Sequence, residues 1–386
     1  ECGLVPTDHC TISLDTTFLP GTYAVENLTF AANSTTLNCN GARLIDKNPG
    51  LWLLNVGGTK DVVIKNCNIT NYGFAISNYH SLLGTRPVEH VIVRDNYFEN
   101  GHTAVRIDGS FGLDQVVPAP ERNHEIINNT LVNSNKGVML LYSNNSRVTD
   151  NTLEITGGPN YEGIYLAGSS HAVVEKNTLK GGKIHAQRSR SSDSVNTTIH
   201  DNTFSDGPRG IELREGSGNA DVRRNTFTNV AQGMWIRSDN NLIRTNSFEG
   251  STLGDSSHSG VTIDGGTKNN IVFLNFFEKM SEPVYDDGIN NQWHGTIRIL
   301  NLNFTYGNFY DIFFNDSQLR RGNRCVDANF DNVCDQAFAF DVNKQDLYAL
   351  RSKLTPSGTL APVVAPIPDI HAREVNDVRV VINATL

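Results

Sequence analysis

The sequence predicts an all-β protein, a right-handed parallel β-helix of about ten or eleven coils, on three observations. An Asn-led corner recurs as Asn96-Tyr-Phe, Asn129-Thr-Leu, Asn151-Thr-Leu, Asn177-Thr-Leu, Asn202-Thr-Phe, Asn225-Thr-Phe, Asn246-Ser-Phe and Asn275-Phe-Phe. Its spacing of roughly 21 to 33 residues lies in the range of solenoid repeats. Each corner is flanked by short alternating runs, such as Val91-Ile-Val-Arg before it and the Gly-led Gly163-Ile-Tyr-Leu or Gly210-Ile-Glu-Leu after it, and alternation of period two means strands with one buried face.

Each repeat therefore supplies the same two or three short strands. The units are rich in Asn, Thr, Gly and β-branched residues and lack an apolar stripe at helical spacing, which excludes helical solenoids, and the Leu pattern of leucine-rich repeats is absent. Coils of this kind stack in parallel about 4.8 Å apart. The crossover rule for parallel strands sets the right hand. The corner Asn then reads as structural, forming an internal ladder in which each amide bonds to the next coil and to turn backbone.

In chain order, residues 1 to 60 read as an N-terminal cap and first coils, required because an open sheet end is an aggregation edge. The coils proper run from about 61 to 304, interrupted by insertions at 108 to 123 and 249 to 259. Such loops often gather on a solenoid's binding face. Residues 305 to 343 read as a closing coil with a Cys-bracketed acidic loop. Residues 344 to 386 read as a short helix over Lys344 to Lys353, a Pro-rich stretch from Pro356 to Pro368, and a strand-like tail, Asp377-Val-Arg-Val-Val-Ile-Asn.

A solenoid adds coils without limit, so 386 residues fit one long domain. The net charge of -9 argues against general nucleic-acid binding, and no apolar run is long enough for a transmembrane helix. The chain starts at Glu1 without Met, which fits removal of an export signal. Six cysteines fit disulfides outside the cytosol. Cys2 and Cys10 are near enough to staple the lead-in. Cys39 and Cys67 lie one coil apart in the lane of the corner Asn, where stacking brings their Cα atoms within disulfide reach. Cys325 and Cys334 bracket the acidic loop. Nine glycosylation sequons, at Asn27, Asn33, Asn68, Asn128, Asn144, Asn196, Asn303, Asn315 and Asn383, fit a secreted or cell-surface glycoprotein.

The Asn-x-Phe/Leu coils resemble the carbohydrate-binding and sugar-hydrolase β-helix group. Tyr306-Gly-Asn-Phe-Tyr-Asp, followed by Asp327-Ala-Asn-Phe-Asp-Asn-Val-Cys-Asp, looks like the closing motif of NosD-like proteins, with Phe309-Tyr310 and Asn332 in place of that family's Tyr-Trp and Gly. The resemblance covers roughly residues 30 to 340 and implies the right-handed β-helix. That family spans copper-site maturation proteins, polysaccharide enzymes and surface proteins, so fold alone does not choose among them. Three Met and eleven scattered His form no copper cluster, which counts against a copper role. Asp327, Asn329, Asp331, the Val333 carbonyl and Asp335 alternate as hard oxygen ligands do in Ca²⁺ loops, although Asn332 takes the turn-Gly position and Phe338 stands where the closing Glu belongs. A structural Ca²⁺ and an ordinary acidic turn are the two readings.

Stacking the Gly-led strands yields two outward lanes. One runs Ala75, Arg106, Met139, Tyr165, His185, Glu212, Trp235, Thr262, Tyr285, and the other Ser77, Asp108, Leu141, Ala167, Gln187, Arg214, Arg237, Asp264, Asp287. Aromatics, arginines and carboxylates interleave over about 20 to 25 Å, a length that suits four or five sugar rings. Tyr165, Trp235 and Tyr285 offer flat faces to sugars, and Arg188, Arg214 and Arg237 offer bidentate donors. For a lyase or epimerase, Arg214 or Arg237 would neutralise a uronate carboxylate and His185 or Tyr165 would take the C5 proton. For an inverting hydrolase, Glu212 and Asp264 would be the carboxylate pair.

No family catalytic motif is present in these sets, so the sequence favours a structural or glycan-binding protein. It reads as an extracellular, glycosylated β-helix acting as a cell-surface or filament subunit. Its expected partners are copies of itself or surface glycans, with no nucleic acid and no organic cofactor. A polysaccharide lyase or epimerase on acidic polysaccharide is the alternative.

Overall fold

A computed structural model describes residues 1–78, 88–109, 122–156, 162–189, 192–250, 259–280, 282–299, 302–310, 334, 338–341, 344–346 and 349–350. Its strands are short and pair in parallel from coil to coil. One sheet holds eleven strands, from Thr16–Thr17 to Ile271–Phe273, one per coil, in strict chain order. A second sheet of 22 strands carries the Gly-led runs and the post-corner runs. The two 12-residue strands Tyr97–Asp108 and Thr130–Leu141 bend through the corner and join those two lanes into one sheet. The fold is the expected right-handed parallel β-helix, and the parallel ladder already begins at Thr11–Ile12.

The corner explains why Asn recurs. The residue before each ladder Asn adopts a left-handed conformation, from Asp95 (φ 58°) through Asp201 (57°) to Leu274 (54°). Asn and Asp enter this region readily, whereas Thr245 and Leu274 are held there against their preference. The turn strands backbone donors and acceptors inside the coil, and the Asn amide satisfies them. Asn202 Oδ1 accepts from both Asn177 N–H and Asn177 Nδ2, while its own Nδ2 donates to the Val174 and His200 carbonyls and to Asn225 Oδ1. The same pattern runs unbroken from Asn96 to Asn308. Cys67 N–H donates to Asn96 Oδ1, so the Cys39–Cys67 disulfide, with Cα atoms 4.7 Å apart, occupies the ladder's first rungs as anticipated.

Beside the ladder, Phe204, Phe227, Phe248, Phe277 and Tyr310 stack with ring centroids 4.6 to 5.2 Å apart and planes within 7°. The coil spacing imposes this near-parallel stacking, although isolated aromatic pairs favour an offset or edge-on arrangement. The stack also explains the Gly that opens each following strand. A Cβ on Gly210 would sit 2.4 Å from the Phe227 ring and 2.7 Å from the Gly233 carbonyl.

At the N-terminal end, Cys2–Cys10 closes the lead-in, and Leu19 N–H donates to the Leu4 carbonyl. At the other end, Gly295–Ile299 and Leu302–Tyr306 form an antiparallel hairpin, and the buried Leu350 donates its N–H to Asn308 O. The expected helix from Lys344 is corrected. Lys344–Asp346 is a strand antiparallel to Phe338–Asp341, because a hairpin partner lies only a few residues upstream to pair its backbone groups. Cys334 is buried and disulfide-bonded, while Cys325, most of the acidic loop (Asp327, Asn329, Asp331, Val333 and Asp335), Asn315, the Pro-rich stretch and the tail with Asn383 lie outside the described residues.

Candidate functional site

The first outward lane has the expected register from Arg106 to Tyr285, since Arg106, Met139, Tyr165, His185, Glu212, Trp235, Thr262 and Tyr285 are successive ladder partners. Only its first member shifts. Ser77, not Ala75, pairs with Arg106, because Phe74 pairs with Thr103. What alternation did not reveal is that the lane's centre lies flat and covered instead of projecting.

Glu212 is fully buried, 0% exposed, and His185 is 3% exposed. The Glu212 carboxylate takes Lys183 Nζ (2.5 Å), Arg209 (2.8 Å) and Arg214 (2.5 Å). Burial alone would raise its pKa, but the Lys183 bond, the nearby His185 and Arg214 together pull it to about 2. Glu212 is thus a fixed anion with no capacity as a general acid. His185 Nδ1 lies 2.9 Å from Glu162, whose carboxyl burial opposes but His185 and Lys136 hold below the usual carboxylate range. The His185 ring also lies 5.1 Å from that of Tyr165. The Tyr165 hydroxyl accepts from Gln187 at 2.5 Å, and burial, then Glu162, raises its pKa, which is the wrong direction for a base.

Trp235 is similarly occupied. Arg209 and Arg237 lie over its ring at 4.0 and 4.9 Å, and its Nε1 donates to Asp264 Oδ1 at 2.7 Å. Asp264 Oδ2 takes Arg237 at 3.0 Å, so both oxygens of the second expected hydrolytic carboxylate are engaged. Tyr285 is 53% exposed and stands alone at the lane's end.

The second lane fares better. Arg214, Arg237 and Asp264, with Gln187 and Arg188, line a groove of about 910 Å³ over four successive coils. The turns that follow the lane, around Glu215 and Gly216, Gly218 and Asn219, Ser238 to Asn240 and Gly265 to Thr267, form the rest of it with Asp193 and Val195. Gly216 (φ 78°) and Gly266 (φ 87°) allow those turns. Arg188 pairs with Asp193 (2.6 Å) and Glu215 (2.9 Å), yet its side chain stays 44% exposed, as does that of Arg237. Three guanidiniums therefore face four carboxylates, those of Asp193, Glu215, Asp239 and Asp264. Of the expected glycan-binding residues the groove unites Arg188, Arg214 and Arg237 and leaves out Tyr165, Trp235 and Tyr285.

The residues missed from sequence are those that cover the lane: Lys136, Glu162, Lys183 and Arg209. Three of them, Lys136, Glu162 and Arg209, immediately precede a strand-opening Gly, and that position was the available signal.

The family described as periplasmic copper-binding protein (NosD) matches residues 113–313, just over half of the chain. The chain belongs to the NosD family. Similar solved structures include the tailspike protein of E. coli bacteriophage HK620 in complex with a pentasaccharide, at 11% identity, 87% coverage of this chain, 76% of that chain and a TM-score of 0.48. A double mutant of that tailspike with pentasaccharide gives 10% identity, 87% and 76% coverage and the same TM-score. Another double mutant gives 12%, 87%, 68% and 0.47. No curated protein matches the chain.

Among the described residues, the donors of this NosD-family chain do not fit copper. Met234 and Met280 are buried in the core, and the five described cysteines are in disulfides. His124 Nδ1 accepts from Val91 N–H, and His185 Nδ1 faces Glu162. Among the described residues no group of three His, Cys, Asp or Glu side chains is placed to hold a metal ion.

Proposed function

We propose that the protein is a non-catalytic glycan-binding β-helix of the cell exterior, and that the groove over the second lane takes a neutral oligosaccharide. The observation that carries this reading is the alternation of exposed guanidiniums and carboxylates along four coils, around Arg188, Arg214 and Arg237. Paired Arg and carboxylate groups offer donors and acceptors together, which suits vicinal hydroxyls. Four carboxylates against three arginines give a uronate no net attraction, so acidic polysaccharide is the poorer fit. Three coil steps span about 14 Å, room for roughly three rings. Catalysis has little support here, because Glu212, Asp264 and His185 are each committed to neighbours.

The two described disulfides support an oxidising compartment, and the sequons at Asn33, Asn128 and Asn196 are exposed. The test is calorimetric titration with neutral oligosaccharides and with oligouronates, comparing the native protein with Arg237→Ala. Binding of a neutral oligomer weakened about tenfold or more by the substitution is expected, from loss of a charge-assisted bond of roughly 1.5–3 kcal/mol. Selective oligouronate binding, or new absorbance at 235 nm from an unsaturated product, would overturn the reading.

A further inference from the structure

The lead-in covers part of the first coil, with Cys2 N–H donating to the Thr11 carbonyl, and leaves the sheet edge open at Thr22–Val25. Thr11–Ile12, Thr16–Thr17 and Thr22–Val25 each have a ladder partner on one side only among the described residues. Thr22–Val25, the longest, carries no charged residue, and Thr22 and Ala24 are exposed. Edges are ordinarily guarded by Lys, Pro or a bulge; here Pro20 and Glu26 stand just outside the strand ends, the four strand residues themselves are uncharged, and apolar side chains are exposed close by. Leu4 (62%), Val5 (50%), Leu14 (75%) and Leu19 (48%) account for four of the seven exposed large hydrophobic residues described, all within the lead-in and first coil. Leu4 and Leu19 are joined by the backbone bond between them.

The same chain holds one strand-like segment outside the described residues, Asp377-Val-Arg-Val-Val-Ile-Asn, whose Val378, Val380 and Ile382 alternate as a half-buried strand requires. We propose that this segment of a second copy adds in parallel to the Thr22–Val25 edge, so that copies join end to end. The stiffness of the intervening segment, rather than its reach, favours another copy over the same chain. Leu350 sits against the last coil, and the first coil lies about 48 Å away over ten ladder steps. The roughly 26 residues that follow Leu350 include four prolines, Pro356, Pro362, Pro366 and Pro368, and a Pro-rich spacer resists folding back on itself. The last coil is itself closed by the 295–306 hairpin and Leu350, so direct stacking of coils is blocked and a donated strand is the remaining link. Such a head-to-tail contact is heterologous and generates a filament unless its rotation closes a ring. The inference is independent of the groove.

The test uses the full chain. Ala24→Cys and Val381→Cys, each at an outward position of its segment's alternation, are made in separate copies, mixed and oxidised, and the native protein and Val380→Pro are run by sedimentation velocity with circular dichroism as the folding control. A disulfide dimer containing one of each cysteine variant is expected, with native assemblies that Val380→Pro reduces to monomers of unchanged spectrum. Monomeric native protein without cross-link would overturn the proposal. So would a cross-link formed only inside a single chain carrying both cysteines, which would seat the tail on its own first coil.

Discussion

Truncating one rung of the Asn ladder tests what holds the coils in register. Asn202 is 1% exposed, accepts two bonds from Asn177 and donates to two carbonyls and to Asn225. In Asn202→Ala the buried Asn177 N–H loses the partner it has in the structure, while the Val174 carbonyl, inside the parallel ladder, and the His200 carbonyl, which also accepts from Lys176 N–H, each lose one of their donors. Asn177 Nδ2 keeps Val148 O and Glu175 O, and Asn225 Oδ1 keeps the residue 202 N–H. One orphaned buried donor at about 1–3 kcal/mol, with the net bonds lost at the two carbonyls at about 0.5–1 kcal/mol each, gives an expected loss of roughly 2–4 kcal/mol. Urea unfolding followed by tryptophan fluorescence, to which Trp235 contributes from the coil beyond Glu212, measures it. Asn202→Asp should lose at least as much, because it keeps the acceptor but buries a charge and discards the donors. A loss below about 0.5 kcal/mol, the range of ordinary surface substitutions, would refute the ladder as the device that specifies the corner.

Two further predictions concern charge. Burial, then Arg122 and His90, holds the His124 imidazole at about 3, so between there and an unfolded value near 6.5 the unfolded chain binds the extra proton. Stability should fall by about 1.4 kcal/mol per pH unit below 6.5, some 2.7 kcal/mol at pH 4.5, and His124→Gln, placed to retain an acceptor for Val91 N–H, should flatten that slope in urea titrations at each pH. An unchanged slope would show that other groups carry the acid sensitivity. Glu212→Gln leaves Lys183, Arg209 and Arg214 around a neutral amide and should cost roughly 3–5 kcal/mol at neutral pH. Because the folded pKa is depressed from 4.5 to about 2, the native carboxylate's contribution is fully present above the ordinary Glu range and is lost as pH falls from there through 2, so the gap between native and variant should hold down to about pH 4.5 and narrow progressively below it. A gap that closes by pH 5 would contradict the clamped anion.

The backbone was legible from the sequence because it is written many times over. One Asn-x-Phe corner could be chance, but eight at coil spacing fix the turn, the ladder and the strands on either side. Even Cys39 and Cys67 were readable, since they occupy ladder positions. The site was harder for a reason that also lies in the coil. Alternation says which way a side chain leaves the strand but not what lies over it. Glu212 leaves on the outward side and is still buried, because Lys183 from the preceding coil and Arg209 from the start of its own strand close over it with Arg214. Trp235 likewise projects outward, yet Arg209 and Arg237 take its ring and Asp264 its N–H. A lane of alternating charge on neighbouring strands satisfies itself first, at separations of about 4.8 Å, and only what that pairing leaves exposed can meet a ligand. That residue of exposure is found one lane over, at Arg188, Arg214 and Arg237, where the turns that follow the strand open the sheet face into a groove.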